Sequence, residues 1–194
     1  PDKIIEEGNA VIFDGRGSSD NVKIINFTWI FYDRISITLF GARPNYQFDN
    51  HGNFSVILNV SDESGNWQTD SMNVTVLDIT SPIADAGPDQ TVDEDSIVTF
   101  NGSGSTDNGA IINYTWTIID GKEVSLFGIN TIYEFNSPGQ YIVILNITDS
   151  NANWDTDTLT VYVKDITPPL ANAGVDRTIP VGSTISLDGS LSSD

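Results

Sequence analysis

The sequence predicts an all-β protein built of tandem β-sandwiches in an elongated array, and three observations carry that prediction. The chain repeats with a period of 87 residues and no insertion or deletion: Val11 aligns with Val98, Trp29 with Trp116, Gly52 with Gly139, Trp67 with Trp154 and Pro82 with Pro169. Apolar residues alternate with polar ones over several short runs in each copy, the period of half-buried strands. Glycine, proline, asparagine and aspartate interrupt those runs at short intervals, and no stretch follows a helical period. A fixed repeat of this size marks an array of small domains, each with its own core, in place of one large active site. The expected divisions are residues 1–82, 83–169, and the first strands of a truncated third copy over 170–194.

The second copy shows the elements in order. Residues 101–110 (NGSGSTDNGA) form a polar, Gly-rich loop. A strand follows at IINYTWTII, expected to put Ile112, Tyr114 and Trp116 on one face. Asp120-Gly121 suits a tight hairpin leading to a strand near 122–127. TIYEF (131–135) makes another, closed by the turn Ser137-Pro138-Gly139. YIVILNIT (141–148) faces Tyr141, Val143, Leu145 and Ile147 inward, the loop DSNANWDTD (149–157) follows, and TLTVYVK (158–164) ends the copy with Leu159, Val161 and Val163 inward. In the first copy the same faces read Ile25, Phe27 and Trp29; Phe54, Val56, Leu58 and Val60; and Met72, Val74 and Val76. Six or seven short strands with a core tryptophan on the third, Trp29 and Trp116, describe an immunoglobulin-like sandwich.

Composition narrows the function. Acids number 27 against 8 bases, for a net charge of −19. Such a chain repels nucleic acids and anionic membrane surfaces and attracts divalent cations. Of the acids 21 are Asp, a residue of turns, caps and metal loops. A surface adapted to a salty medium would use the same acids merely for solvation. There is no cysteine, which excludes disulfides and thiolate metal sites. No run approaches the roughly 18 apolar residues of a membrane span, so no membrane insertion is expected in this segment. No signal peptide opens the chain; Pro1 shares the phase of Pro88, so the segment is expected to begin at a repeat boundary inside a longer protein.

The phrases ADAGPDQTV (84–92), VTFNGSGSTDN (98–108), IINYTW (111–116), SPGQYIVILNITD (137–149) and VKDITPP (163–169) resemble the polycystic-kidney-disease (PKD) repeat family. The resemblance spans essentially the whole chain. Its tandem form with a D-I-T-x-P junction is similar to repeats of archaeal and bacterial surface proteins. The family's W-D-F-G-D-G segment is altered to WIFYDR (29–34) and WTIIDG (116–121), a departure that touches a hairpin and any ligand role of that segment. The resemblance implies an extracellular location and a non-catalytic, structural or adhesive role.

The residues agree that an enzyme is not expected. The single histidine, His51, has Pro138 as its counterpart and reads as an inert exposed turn residue, which leaves no nucleophile–base pair of the serine or cysteine type. Calcium is the sharper expectation, since it takes six to eight oxygens from Asp, Asn and carbonyl groups. At the pole of the second copy the candidates are Asp78 and Asp85 from the junction, Asp107 from the loop before Trp116, and Asp149, with Asn153 and Asp157 further round. The counterparts are Asp20, Asp62, Asn66 and Asp70 in the first copy, and Asp165 and Asp194 toward the third. The alternative is that these acids cap their own turns.

Seven N-x-[ST] sequons, at Asn26, Asn53, Asn59, Asn73, Asn101, Asn113 and Asn146, suit a secreted glycoprotein. Trp67 and Trp154 are read as closing the core's end or packing on a neighbouring domain; as exposed indoles they would instead contact polysaccharide. The junctions Asp78-Ile79-Thr80-Ser81-Pro82 and Asp165-Ile166-Thr167-Pro168-Pro169 are short, and proline and β-branched residues stiffen them into semi-rigid links. The third-copy segment is read as truncated, with strand donation to another chain as the alternative. The function expected is a spacer and adhesive module of a surface-layer or filament protein, contacting neighbouring copies, other surface proteins or extracellular glycans. The alternative is an accessory array of a secreted hydrolase that binds polysaccharide or collagen-like protein.

Overall fold

A computed structural model describes all 194 residues and contains no helix. The first copy forms β1 (Lys3–Glu6), β2 (Ala10–Ile12), β3 (Ile24–Asp33), β4 (Ile35–Phe40), β5 (Asn45–Gln47), β6 (Gly52–Asp62) and β7 (Trp67–Leu77). The second forms β8 (Gln90–Asp93), β9 (Ser96–Asn101), β10 (Ile111–Asp120), β11 (Lys122–Phe127), β12 (Asn130–Phe135), β13 (Gly139–Asp149) and β14 (Trp154–Lys164). Each copy pairs a five-stranded sheet with a two-stranded one: β1-β7-β6-β3-β4 with β2-β5, and β11-β10-β13-β14-β8 with β12-β9. The opening strand runs parallel to the last in both, as β1 on β7 and β8 on β14; β3–β4, β3–β6 and β6–β7 are antiparallel.

The alternation read from sequence sets the cores. In the first, Val56, Leu58, Val74 and Val76 from the large sheet meet Val11 of the small sheet and Phe13 just beyond it. Trp29 stacks on Phe13 at 5.2 Å between centroids, as Trp116 does on Phe100 at 5.4 Å. A buried indole needs a partner for its N–H. Trp29 Nε1 donates to the Gly41 carbonyl at 3.1 Å and Trp116 Nε1 to that of Gly128 at 3.0 Å. Gly41 and Gly128 sit at φ of 101° and 111°, a region open to glycine.

Two expectations need correction. Ile25 and Ile112 point outward, away from the tryptophan face. In the first copy the register against β6 shifts between Ile24 and Asn26; an extra residue in one strand inverts the inside-outside alternation on one side of it. Residues 170–194 form no strand, only an isolated bridge between Leu170 and Ser193. Those residues have no large sheet to pair with, and two strands alone gain too little burial to persist.

In space the chain divides into two compact units. One holds residues 1–83 with 106–113 and 147–155; the other holds 84–105, 114–146 and 156–194. The first unit thus gathers the first sandwich, the Asp78–Pro82 junction and two loops of the second copy.

Candidate metal centre

Within the first unit, Asp78, Asp107 and Asp149 each offer a carboxylate oxygen, and the three oxygens lie within 4.8 Å of one another. Each arrives for a local reason. Asp149 ends β13, where Oδ1 accepts the N–H groups of Asn151 and Asn153 at 2.8 Å and Oδ2 accepts the Asn153 side-chain amide. That arrangement caps the loop, with Ala152 at its positive-φ turn. Asp107 Oδ2 accepts the N–H of Gly109 at 2.9 Å. Asp78 follows β7, and its Oδ1 accepts the N–H of Thr80 at 3.1 Å. The Asn153 amide also reaches the Asp78 carbonyl at 3.3 Å.

The other carboxylate oxygens matter most. Asp78 Oδ2 and Asp107 Oδ1 are buried and accept no hydrogen bond. Asp78 is 5% exposed and Asp149 0%. Unpaired buried carboxylate oxygens are costly, and three carboxylates this close repel one another. Their spacing suits oxygens shared by one hard cation. The residues therefore fit a calcium-like ion. Burial raises the pKa of Asp149, but the Asn153 side chain and the N–H groups of Asn151, Ala152 and Asn153 outweigh it and hold it below the ordinary value. A carboxylate kept ionised is what a cation site requires.

A second group borders the first. His51 Nδ1 lies 3.4 Å from Asp78 Oδ2 and 3.8 Å from Glu7 Oε2. His51 is thus a half-buried neighbour of the acidic centre, not the free turn residue expected from sequence: the topology places its loop against the junction. Glu7 holds that junction, accepting the N–H of Ile79 at 3.2 Å and the Thr80 hydroxyl, while its Oε2 accepts the Asn108 amide at 3.2 Å. Burial pushes the Glu7 pKa up; the Thr80 hydroxyl, the N–H groups of Ile79 and Thr80 and the charge of His51 together bring it below its ordinary value. Sequence reasoning passed over Glu7, although its counterpart Glu94 is also Glu.

The remaining candidate ligands lie elsewhere. Asp20 Oδ2 accepts the N–H groups of Val22 and Lys23, each at 2.9 Å. Asp62 is occupied by the N–H and side-chain amide of Asn66 at 2.8 Å. Asp70 is exposed and Asp165 Oδ1 accepts the Thr167 N–H. Asp85 and Asp157 belong to the second unit, where Asp85 Oδ1 accepts the Gly87 N–H and Asp157 Oδ2 that of Ala86. Capping describes these residues, and Asp194 is exposed in a segment without strands.

Of the sequons, Asn26, Asn53, Asn73, Asn101 and Asn113 are exposed, whereas Asn59 and Asn146 are half-buried. Trp67 and Trp154 are 67% and 61% exposed, so they do not close a core. They start β7 and β14, and in β7 the regular inward-facing positions begin only further along, at Met72 and Val74.

The family model for the PKD domain matches residues 1–76 and 79–163. A human relative, dyslexia-associated protein KIAA0319, is 32% identical over 206 residues, covering 95% of this chain and 19% of its own length. A mouse relative, dyslexia-associated protein KIAA0319-like protein, is 33% identical over 210 residues, again with 95% and 19% coverage. The chain thus spans about a fifth of the curated relatives it matches. Among solved structures, the PKD domain from KIAA 1837 protein shows 26% identity and a TM-score of 0.38, covering 46% of this chain and 93% of that one.

Proposed function

Because the chain belongs to the PKD domain family, we propose that it is a non-catalytic, adhesive and spacing module from the extracellular part of a surface protein. A calcium ion at Asp78, Asp107 and Asp149 fastens its first junction. The family match and the curated relatives support the module; the clustered carboxylates of Asp78, Asp107 and Asp149, with the buried oxygens of Asp78 and Asp107 that accept no hydrogen bond, support the ion. The D-I-T-x-P junctions favour a cell-envelope setting of the prokaryotic surface-layer or filament kind, in which the module contacts neighbouring copies or other surface proteins. Exposed sequons on the sheet faces suit a glycoprotein there.

The mechanism asks little chemistry of the residues. Asp78 sits in the junction, Asp107 and Asp149 in the two loops, and Asn153 bonds both Asp149 and the Asp78 carbonyl. An ion held by the three carboxylates would tie loop to junction and cancel their repulsion, and binding to the folded state alone stabilises that state by mass action. Isothermal titration of the whole chain with calcium, after exhaustive chelation, should show saturable uptake that Asp78→Asn with Asp107→Asn abolishes. Chelation should lower the melting temperature of the unaltered chain and leave that of the double variant unchanged. A melting curve indifferent to chelator would refute the ion.

The two exposed tryptophans favour a second reading, an accessory array that binds polysaccharide. Retention on polysaccharide resin, lost in a folded Trp67→Ala, Trp154→Ala variant, would support that reading over the spacer.

A further inference from the structure

The chain has one histidine, His51, and it stands among acids that it does not bond. Its Nδ1 lies 3.4 Å from Asp78 Oδ2 and 3.8 Å from Glu7 Oε2. One donor atom from each of the three residues lies within 4.8 Å of the other two. Neither approach is a hydrogen bond: the first lacks the geometry and the second the reach. Asp78 Oδ2 accepts no hydrogen bond from any group, although the Asp78 side chain is only 1% exposed. Glu7 Oε2 accepts the Asn108 amide at 3.2 Å and keeps a lone pair free. A buried carboxylate oxygen aimed at an imidazole nitrogen without a bond between them leaves room for an ion that both can hold.

The donors select that ion. Calcium takes oxygen ligands, whereas an imidazole nitrogen beside carboxylate oxygens suits zinc. A tetrahedral zinc ion with ligands at about 2.0–2.1 Å keeps its ligand atoms roughly 3.3–3.4 Å apart. The separation of His51 from Asp78 has that value, and Glu7 needs only a small side-chain adjustment to reach it. Two carboxylates and a neutral imidazole together carry the charge that one divalent ion cancels. Gly109 walls the group closely, since a Cβ there would meet His51 Cε1 at 3.3 Å and Asp78 Oδ2 at 3.4 Å. His51 and Asn108 also line a surface cavity of about 370 Å³ through which an ion and a water can enter.

We propose that Glu7, His51 and Asp78 form a zinc site, separate from the all-oxygen group of Asp78, Asp107 and Asp149. His51 binds through Nδ1, Glu7 through Oε2 and Asp78 through Oδ2, with water in the fourth position. Glu7 follows β1, His51 lies between β5 and β6, and Asp78 follows β7, so the ion fastens three loop ends of the first sandwich to one another. The site does not need calcium in the neighbouring group. Asp78 belongs to both groups, however, so filling one changes the affinity of the other. The second junction cannot repeat the site: its counterparts are Glu94, Pro138 and Asp165, and the proline side chain offers no ligand.

Isothermal titration of the whole chain with zinc at neutral pH, after exhaustive chelation, should show one equivalent bound tightly. His51→Ala should weaken that uptake at least tenfold and leave calcium uptake in place. Asp107→Asn should reduce calcium uptake and leave zinc uptake in place, so a chain that binds zinc but no calcium counts against the calcium ion alone. The unaltered chain provides a second readout that needs no substitution. Its single histidine gives one set of imidazole resonances, which zinc should move and cobalt(II) in its place should shift paramagnetically. A chain that binds no zinc would overturn the proposal, as would uptake that survives His51→Ala or imidazole resonances indifferent to cobalt(II).

Discussion

Glu7 Oε1 accepts the backbone N–H of Ile79 across 72 positions of sequence, and Glu94 accepts that of Ile166 across the same interval. The threonine hydroxyls of Thr80 and Thr167 complete each pair. The repeated D-I-T phrase is therefore held by a carboxylate from the start of its own copy, in addition to the stiffness that proline and β-branching supply.

Glu7→Ala should destabilise the first unit by about 1.5–3 kcal/mol, the range for hydrogen bonds to a charged group, and Glu7→Gln by less. The pH dependence follows from a folded-state pKa that these hydrogen bonds hold below the ordinary carboxylate value. The contribution is complete above the unfolded-state value and is lost as pH falls through the folded one. Thermal melts from neutral pH downward should thus show the wild-type chain converging on Glu7→Ala as the pH falls below the ordinary glutamate range.

Arg34 and Gly121 occupy the same hairpin position, at φ of 55° and 65°. A side chain in this region costs roughly 1–2 kcal/mol that glycine avoids. Arg34→Gly should accordingly raise stability by up to about 1 kcal/mol, and Gly121→Ala should lower it by about 1 kcal/mol. Chemical denaturation of both variants checks the pair; equal signs would refute the strain assignment.

Tyr46 donates its hydroxyl to Asp33 Oδ2 at 3.0 Å, with Asn50 on Oδ1 at 2.9 Å; Tyr133 and Asp120 repeat the pair at 2.9 Å. Burial, then the hydrogen bond and charge of Asp33, then the charge of Asp49, push the Tyr46 phenol up to about 12. A raised pKa contributes stability that is complete below the unfolded value near 10 and lost as pH rises through 12. Spectrophotometric titration should show a late tyrosinate step absent from Tyr46→Phe, and that variant should lose its stability deficit as the pH climbs through this window.

The tryptophans should divide sharply. Trp116→Ala empties the centre of a packed core and removes the partner of the Gly128 carbonyl, for a loss of about 3–5 kcal/mol. Trp154→Ala, on an exposed indole, should stay within about 0.5 kcal/mol of the parent. Paired denaturant titrations settle both.

The sequence by itself determined the repeat, the strands, the tryptophan cores and the hairpins, because alternation, glycine and Asx turns are set by residues close together in the chain. Even the turn at Asn172-Gly174 forms without a sandwich around it. Only the tertiary structure decided which acids meet. Asp20, Asp62, Asp107 and Asp149 read alike along the chain, since each stands at a loop beside its own cap. Asp107 and Asp149 meet Asp78 from the junction, and His51 is brought beside it by its own loop. The bulge that turns Ile25 outward was equally hidden, since a register shift depends on the partner strand. Local rules fix what each segment becomes; long-range packing alone fixes which charges must share one buried space.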